Sequence, residues 1–369
     1  MQEDFHYYAT YCAAYLAGFS HEESLDICYS AQLVDLCSRT FLSKVKGPLN
    51  AATTQLQLEM MDSRTDIIGL QDITRIWASF HFLPKDLHAM RDKKNKRYMN
   101  KYRLICGPNG SLMVKTVKLA RGKSLQHIGI AMHVLADTWA HMYFAGTPSL
   151  VINNTNDHFY AFNDEKNDWE KIKFNHNPAS PDNIEKSYYT NSLYQNSENS
   201  IMNLGHGRAG HLPDYSFIKY KYLPAWGNYQ EIIKDNPSDY YKAFGQMVYA
   251  MKYLRGEEEI FVRDKYETNA LVGYEDKINE ILRKKQLLAC DDWKKFGEEL
   301  SGKAIEDFDV EKYQNEYINA NEQEKISTFL GKFFIGALEQ KGMVTNSIYR
   351  SGNILAGFSV RLFVKGGLV

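Results

Sequence analysis

Apolar residues recur every three or four positions through most of this chain, the spacing of helices that bury one face. The pattern predicts a helix over 5–17 that stops at Gly18, and a second over 21–42 opened by a Ser20–Glu23 capping box. Further helices are expected over 70–80, ahead of a redirection at Pro84, and over 123–145, the longest apolar helical stretch. The same reading gives helices at 191–205, at 238–255 before Gly256, and at 273–286, 291–300 and 322–341, the last three rich in Lys and Glu. One segment, TQLQLEMM at 54–61, alternates as a short strand would. Between 147 and 190 the runs NNTND, NDEKND and NHNPASPDN mark a loop-rich insertion. The tail NILAGFSVRLFVKGGLV is β-prone and suits either an edge strand or a docking segment.

Composition narrows the classes. The chain has 369 residues, enough for one large domain or two ordinary ones, and its 44 basic residues against 45 acidic ones supply no bulk attraction to nucleic acid or anionic membrane. The 25 tyrosines and 19 phenylalanines serve core and rim packing before anything more specific. Five scattered cysteines without a Cys-x-x-Cys pair argue against a disulfide framework and against a zinc–thiolate site. The first residues lack a basic region and a small-residue cleavage site, and no apolar run reaches spanning length, so the expected location is cytoplasmic, or exported without a classical signal. There is no Gly-rich phosphate loop, no G-x-S-x-G and no HExxH.

The unusual chemistry lies in HVLADTWAH, 133–141. Positions i, i+4 and i+8 of a helix drift by only about 40° per step, so His133, Asp137 and His141 line one face. Three such groups on an apolar helix each need a polar partner in the core, and a shared cation supplies one to all. Similar oddities recur elsewhere: Asp4 and His6 in DFHYYATY, Asp35 in what reads as an apolar helix, His81 in FHFLP, and His206, His211 and Asp214 in LGHGRAGHLPD. Taken singly, each has a plain structural reading as a cap, a packed imidazole or a turn. His127 and His158 are not expected among the ligands, and Arg208 reads either as a phosphate clamp or as a structural side chain.

This ordered series, DFHYYATY, HFLP, H-x3-D-x3-H and GHGRAGH-x-P-D, resembles the superfamily of zinc-dependent phospholipases C and fungal single-strand nucleases, and within it a bacterial branch. The resemblance spans about residues 4 to 226 and implies a helical protein holding two or three zinc ions. It implies a first zinc at Asp35, His81, His133 and Asp137, a second sharing Asp137 with His6, and a third at His141 with ligands among His206, His211 and Asp214. In the family a mature amino-terminal Trp often serves as a ligand; this chain begins Met1-Gln2-Glu3, and Asp4 is expected in that place.

The expected fold is therefore mainly α, a multi-helix metal-centred core over 1–255 with insertion 147–190, followed by a helical extension over 256–369. The expected activity is zinc-dependent phosphodiester hydrolysis, phospholipase C-like, by a hydroxide bridging two metals, with Asp137 as bridge and Asp35 also as base. Phospholipid at a membrane surface is favoured as substrate over nucleic acid. The alternatives are a nuclease or nucleotidase of the same superfamily, and a non-catalytic protein that metal merely stabilises; the latter sits poorly with a ligand set free of cysteine.

Overall fold

The computed structural model describes residues 1–63, 67–87, 104–148, 150–156, 158–175, 181–191, 204–227, 230–351 and 353. The chain opens with a π-helical turn, Asp4–Ala9, continued by α1 (Thr10–Leu16). Helix α2 (His21–Leu33) starts on the expected box: Glu23 N donates to Ser20 Oγ and Ser20 N to Glu23 Oε2. It ends earlier than the pattern implies. Thr53 Oγ1 donates to the Val34 carbonyl, and Ser38 caps a separate helix, α3 (Arg39–Val45), so Asp35 lies in the turn between two helices and not inside one.

The segment read as a strand is helix α4 (Gln57–Ser63). Glu59 explains the difference: its carboxylate accepts the Leu56 and Thr40 N–H groups, the contact of a helix start. Next come α5 (Ile67–Phe80), α6 (Ser111–Ala120), which the pattern did not mark, and α7 (Leu125–Ala140), followed by a single turn α8 (Leu150–Asn153). The insertion is loop-rich but not structureless. Strands β1 (Tyr160–Asn163), β2 (Asp168–Lys171), β5 (Lys219–Tyr222) and β6 (Ile232–Asp235) form an antiparallel sheet in the order β2-β1-β5-β6. Strands β3 (Lys173–Asn175) and β4 (Tyr188–Thr190) pair in parallel beside it. Strands of three or four residues, mostly half-buried, escape a search for long apolar runs.

The remainder is helical: α9 (Asn236–Arg255), α10 (Glu275–Arg283), α11 (Cys290–Ser301), α12 (Gln314–Asn319) and α13 (Phe329–Arg350), the last begun by the Thr328 cap. The fold is mainly α, with helices through the C-terminal part. Most of the 191–205 helix expectation and all of the β-prone tail except Asn353 fall outside the described residues. Among the described residues no helix is long and apolar enough to cross a membrane, and all five cysteines are free.

Helix α7 is the axis. Every residue from Gln126 to Ala140 is buried, and α2, α6, α9 and α13 pack around it. The main core joins the first helix to the C-terminal helices: Phe5 meets Tyr240 and Trp293 edge to face, and Tyr7, Tyr8 and Tyr29 donate their hydroxyls to Glu306 O, Asp307 Oδ1 and Asp309 O. A second apolar cluster, with Phe82, Phe144, Tyr220 and Tyr222, seats the sheet. The α2–α7 crossing depends on Gly129, where a Cβ would stand 2.3 Å from the Ile27 carbonyl and 2.5 Å from Ser30 Cβ.

Gly129→Ala should therefore overpack this crossing and lower stability by about 1–3 kcal/mol. A drop in the urea midpoint at unchanged slope is the expected result.

Candidate metal centre

Two ligand candidates sit within a helix and the others are carried to it on element ends and turns. His133 and Asp137 face inward from α7, and His141 is its C-cap. His81 immediately follows α5, Asp35 lies in the turn after α2, and His6 is carried by the π-helical turn, a distortion that re-aims side chains relative to a regular helix. His206 and Asp214 flank two successive 3-10 turns, Gly207–Ala209 and Leu212–Asp214.

The Asp137 carboxylate is the hub. Its Oδ1 is 3.1 Å from His6 Nε2, and its Oδ2 is 3.2 Å from His133 Nε2 and 3.3 Å from His81 Nδ1. Asp35 closes the same space from the far side, 3.7 Å from His81 Nδ1, 3.8 Å from His133 Nε2 and 4.0 Å from His6 Nε2. A second focus lies at Asp214, whose Oδ1 is 3.1 Å from His141 Nε2 and whose Oδ2 is 3.7 Å from His206 Nε2. The donor atoms thus fall into three groups, His6–His133–Asp137, Asp35–His81–His133 and His141–His206–Asp214.

Four of the imidazoles are held by backbone carbonyls. His133 Nδ1 donates to Ala31 O (2.9 Å), His81 Nε2 to Thr53 O (3.0 Å), His141 Nδ1 to His81 O (2.8 Å) and His206 Nδ1 to Gly210 O (2.8 Å). In a neutral ring this fixes the tautomer and leaves the other nitrogen as a bare lone pair. The consequence is a conflict: His133 Nε2 and His81 Nδ1 face each other at 3.3 Å with Asp137 Oδ2 beside both. Acceptors without a proton between them repel, and a divalent cation removes the repulsion. His6 adds to the case. It stacks on His133 with ring centroids 3.8 Å apart, and among the described residues neither of its ring nitrogens has a hydrogen-bond partner, although Nε2 is close to Asp137.

The protonation states agree with this. Burial pushes His6, His133 and His206 down to about 4, His6 being lowered further by His133, so these rings are neutral and able to ligate near pH 7. Burial works to raise Asp137 and Asp214, but the facing imidazoles and the chain's amine outweigh it and hold both carboxyls well below the usual range. Asp35, with 30% of its side chain exposed, is the open edge of the first two groups, and burial raises its pKa. Neutral imidazoles and ionised carboxylates, with no thiolate, suit zinc or a similar borderline ion.

Not every expected residue arrives here. Asp4 belongs to none of the three groups: its carboxylate accepts Phe5 N (2.8 Å) and Ala289 N (3.0 Å) and ties the first helix to the C-terminal part. The atom found near the hub is instead the α-amine of Met1, 2.8 Å from Asp137 Oδ1, 3.1 Å from His141 Nε2 and 3.3 Å from Asp214 Oδ1. Burial works against its charge, yet Asp137 and Asp214 hold its pKa up to about 11, a sign of how strongly this space calls for positive charge. His211 stays at the rim, 59% exposed, with Nδ1 3.2 Å from Asp214 Oδ2. Arg208 is buried. His127 pairs with Ser124 and Glu339, and His158 with Glu231, away from the three groups. The orienting carbonyls had no signal in the sequence, because every residue carries one.

A family model matches residues 1–348, almost the whole chain. The chain belongs to a family of unknown function, DUF6765. No curated protein and no solved structure matches it. In this DUF6765 chain the match takes in all three ligand groups together with the helices up to α13.

Ions held by these groups would stabilise the folded chain by mass action, since the unfolded chain has no such site. Stripping with a chelator should lower Tm, and adding back zinc should restore it in a concentration-dependent way, as differential scanning calorimetry would show.

Proposed function

We propose that this protein is a metal-dependent hydrolase of phosphoric esters, a zinc phosphodiesterase akin to the zinc-dependent phospholipases C. The observation that carries the reading is the shared Asp137 carboxylate, with one oxygen toward His6 and the other toward His81 and His133. That arrangement suits two neighbouring ions bridged by one side chain. Asp35, His81, His133 and one oxygen of Asp137 would hold one ion, His6 and the other oxygen of Asp137 a second, and His141, His206 and Asp214 a third. The chemistry such ions supply is Lewis-acid activation of water near neutral pH and charge neutralisation at a phosphoryl group.

The chain's own residues do the remainder. The carbonyls of Ala31, Thr53, His81 and Gly210 keep the imidazoles aimed, so little reorganisation is needed when substrate arrives. Asp35 stands at the open edge, where a carboxylate can both orient a water molecule and accept its proton. This opening weighs against a purely structural centre, which would be closed on all sides. Leu36, next to Asp35 in the chain, and Leu49, Leu56 and Leu58, within five residues of Thr53, are all exposed and supply apolar surface of the kind a lipid's glycerol and acyl part needs. Phospholipid is therefore placed ahead of nucleic acid as substrate.

Zinc-loaded protein incubated with headgroup-labelled phospholipid vesicles and, separately, with single-stranded DNA should release phosphorylated headgroup. Release of nucleotides alone would move the reading to the nuclease branch, and neither product would end it. Asp137→Ala should lose more than one zinc per chain by elemental analysis and reduce turnover by more than about a hundredfold, beyond the range of second-shell changes. His141→Ala should retain the bridged pair while lowering turnover.

A further inference from the structure

Phe82 follows His81 in the chain but points elsewhere, into the third ligand group. Its ring is 2% exposed and stacks on His141, with centroids 4.8 Å apart and planes 26° apart. The same ring is 5.8 Å from the ring of His206. His141 Nδ1 donates to the carbonyl of His81, so one two-residue segment grips His141 by its edge through the backbone and by its face through Phe82.

On the opposite side the loop bearing His206 is fitted to that ring. Gly205 has φ +57°, and a Cβ built there would stand 2.1 Å from Phe82 Cζ and 2.7 Å from Cε2. A side chain at 205 is thus excluded twice, by backbone conformation and by the ring. Gly205 N donates to Ala145 O, which anchors the loop just as it meets Phe82. His206 Nδ1 is held by Gly210 O on its own loop, its Nε2 faces Asp214 Oδ2 at 3.7 Å, and its ring lies against His141 with centroids 4.7 Å apart. Phe82 packs against both rings from one side, the third corner of a triangle of rings.

We infer that Phe82, seated against Gly205, is the positioning residue of the third metal position: it fixes the spacing of His141 and His206 and thereby the affinity for that ion, without touching the bridged pair. This rests on the reading of the three groups as metal sites. An apolar ring packed on that side also keeps water from competing for the space around the two imidazoles.

Metal content and stepwise zinc affinity, measured by elemental analysis and competition with a chelating dye, test the inference without reference to activity. Wild-type protein should take up three zinc ions, with one lost in His141→Ala; a wild-type chain without that third ion would overturn the reading of the centre and the role of Phe82 with it. Phe82→Leu should weaken one ion by about tenfold to a hundredfold and leave the other two at wild-type affinity. Phe82→Met, which refills the volume, should recover most of the loss. Three ions at unchanged affinity in Phe82→Leu, or equal weakening of all three, would refute the positioning role. Gly205→Ala reaches the same contact from the loop side and serves if Phe82→Leu does not fold. It should also weaken one ion, and its effect should be smaller in the Phe82→Leu background, where the clashing ring atoms are gone; strict additivity of the two changes counts against the inference.

Discussion

A carboxylate almost sealed from water, at Asp137, sets the terms for this structure. An ionised group in a low-dielectric interior is tolerated only when paired and hydrogen-bonded, and here five partners arrive from three parts of the chain: Met1 and His6 from its first turn, His81 from the end of α5, and His133 and His141 from α7 and its C-cap. Two of those partners, His81 Nδ1 and His133 Nε2, turn bare lone pairs on each other beside Oδ2, while the positive charge of the Met1 amine sits on Oδ1. The fold is best understood as the framework that keeps such an unfavourable gathering together, with the buried helix α7 as its backbone and packed helices on every side.

The framework works through the ends of its elements. A helix interior has no spare carbonyls, whereas its last turn and the loops beyond it do. Ala31 O lies in the last turn of α2, His81 O just past α5, and Thr53 O and Gly210 O in connecting turns, and each accepts the proton of one imidazole. Carbonyls at element ends, Ala31 O among them although it also accepts Val34 N, thus become the fixings of the site. The C-terminal part takes a share at a distance, since Ala289 N, Glu306 O and Asp307 Oδ1 hold the segment that carries His6, and Asp309 O holds α2 through Tyr29.

Much of this could be read from the chain before any coordinates. The helical class followed from periodicity, and HVLADTWAH displayed its three groups on one face because helical spacing leaves no other arrangement. Where the reading went astray, local chemistry competed with pattern. Glu59 turned an alternating segment into a helix start, and the Ser38 cap cut one expected helix into two, which moved Asp35 from a helix face to a turn. Asp4 lies outside the three groups because a carboxylate near a helix start has a second use, accepting backbone N–H groups, and it found one 285 residues away. The choice among His206, His211 and Asp214 needed tertiary information, because all three lie on one short irregular stretch whose backbone turns decide which side chain faces inward.

The tight crossing at Gly129 has a meaning beyond packing. Ala31 O on one helix and His133 on the other are one turn from that contact, so the spacing between the helices is transmitted to the ligands as a fixed gauge. Zinc–nitrogen and zinc–oxygen bonds are about 2.0–2.2 Å long, while calcium asks for about 2.3–2.6 Å and more oxygens. A backbone-to-backbone contact is far stiffer than a side chain that can swing aside. Selectivity by ionic radius would then be written into a residue that has no side chain at all.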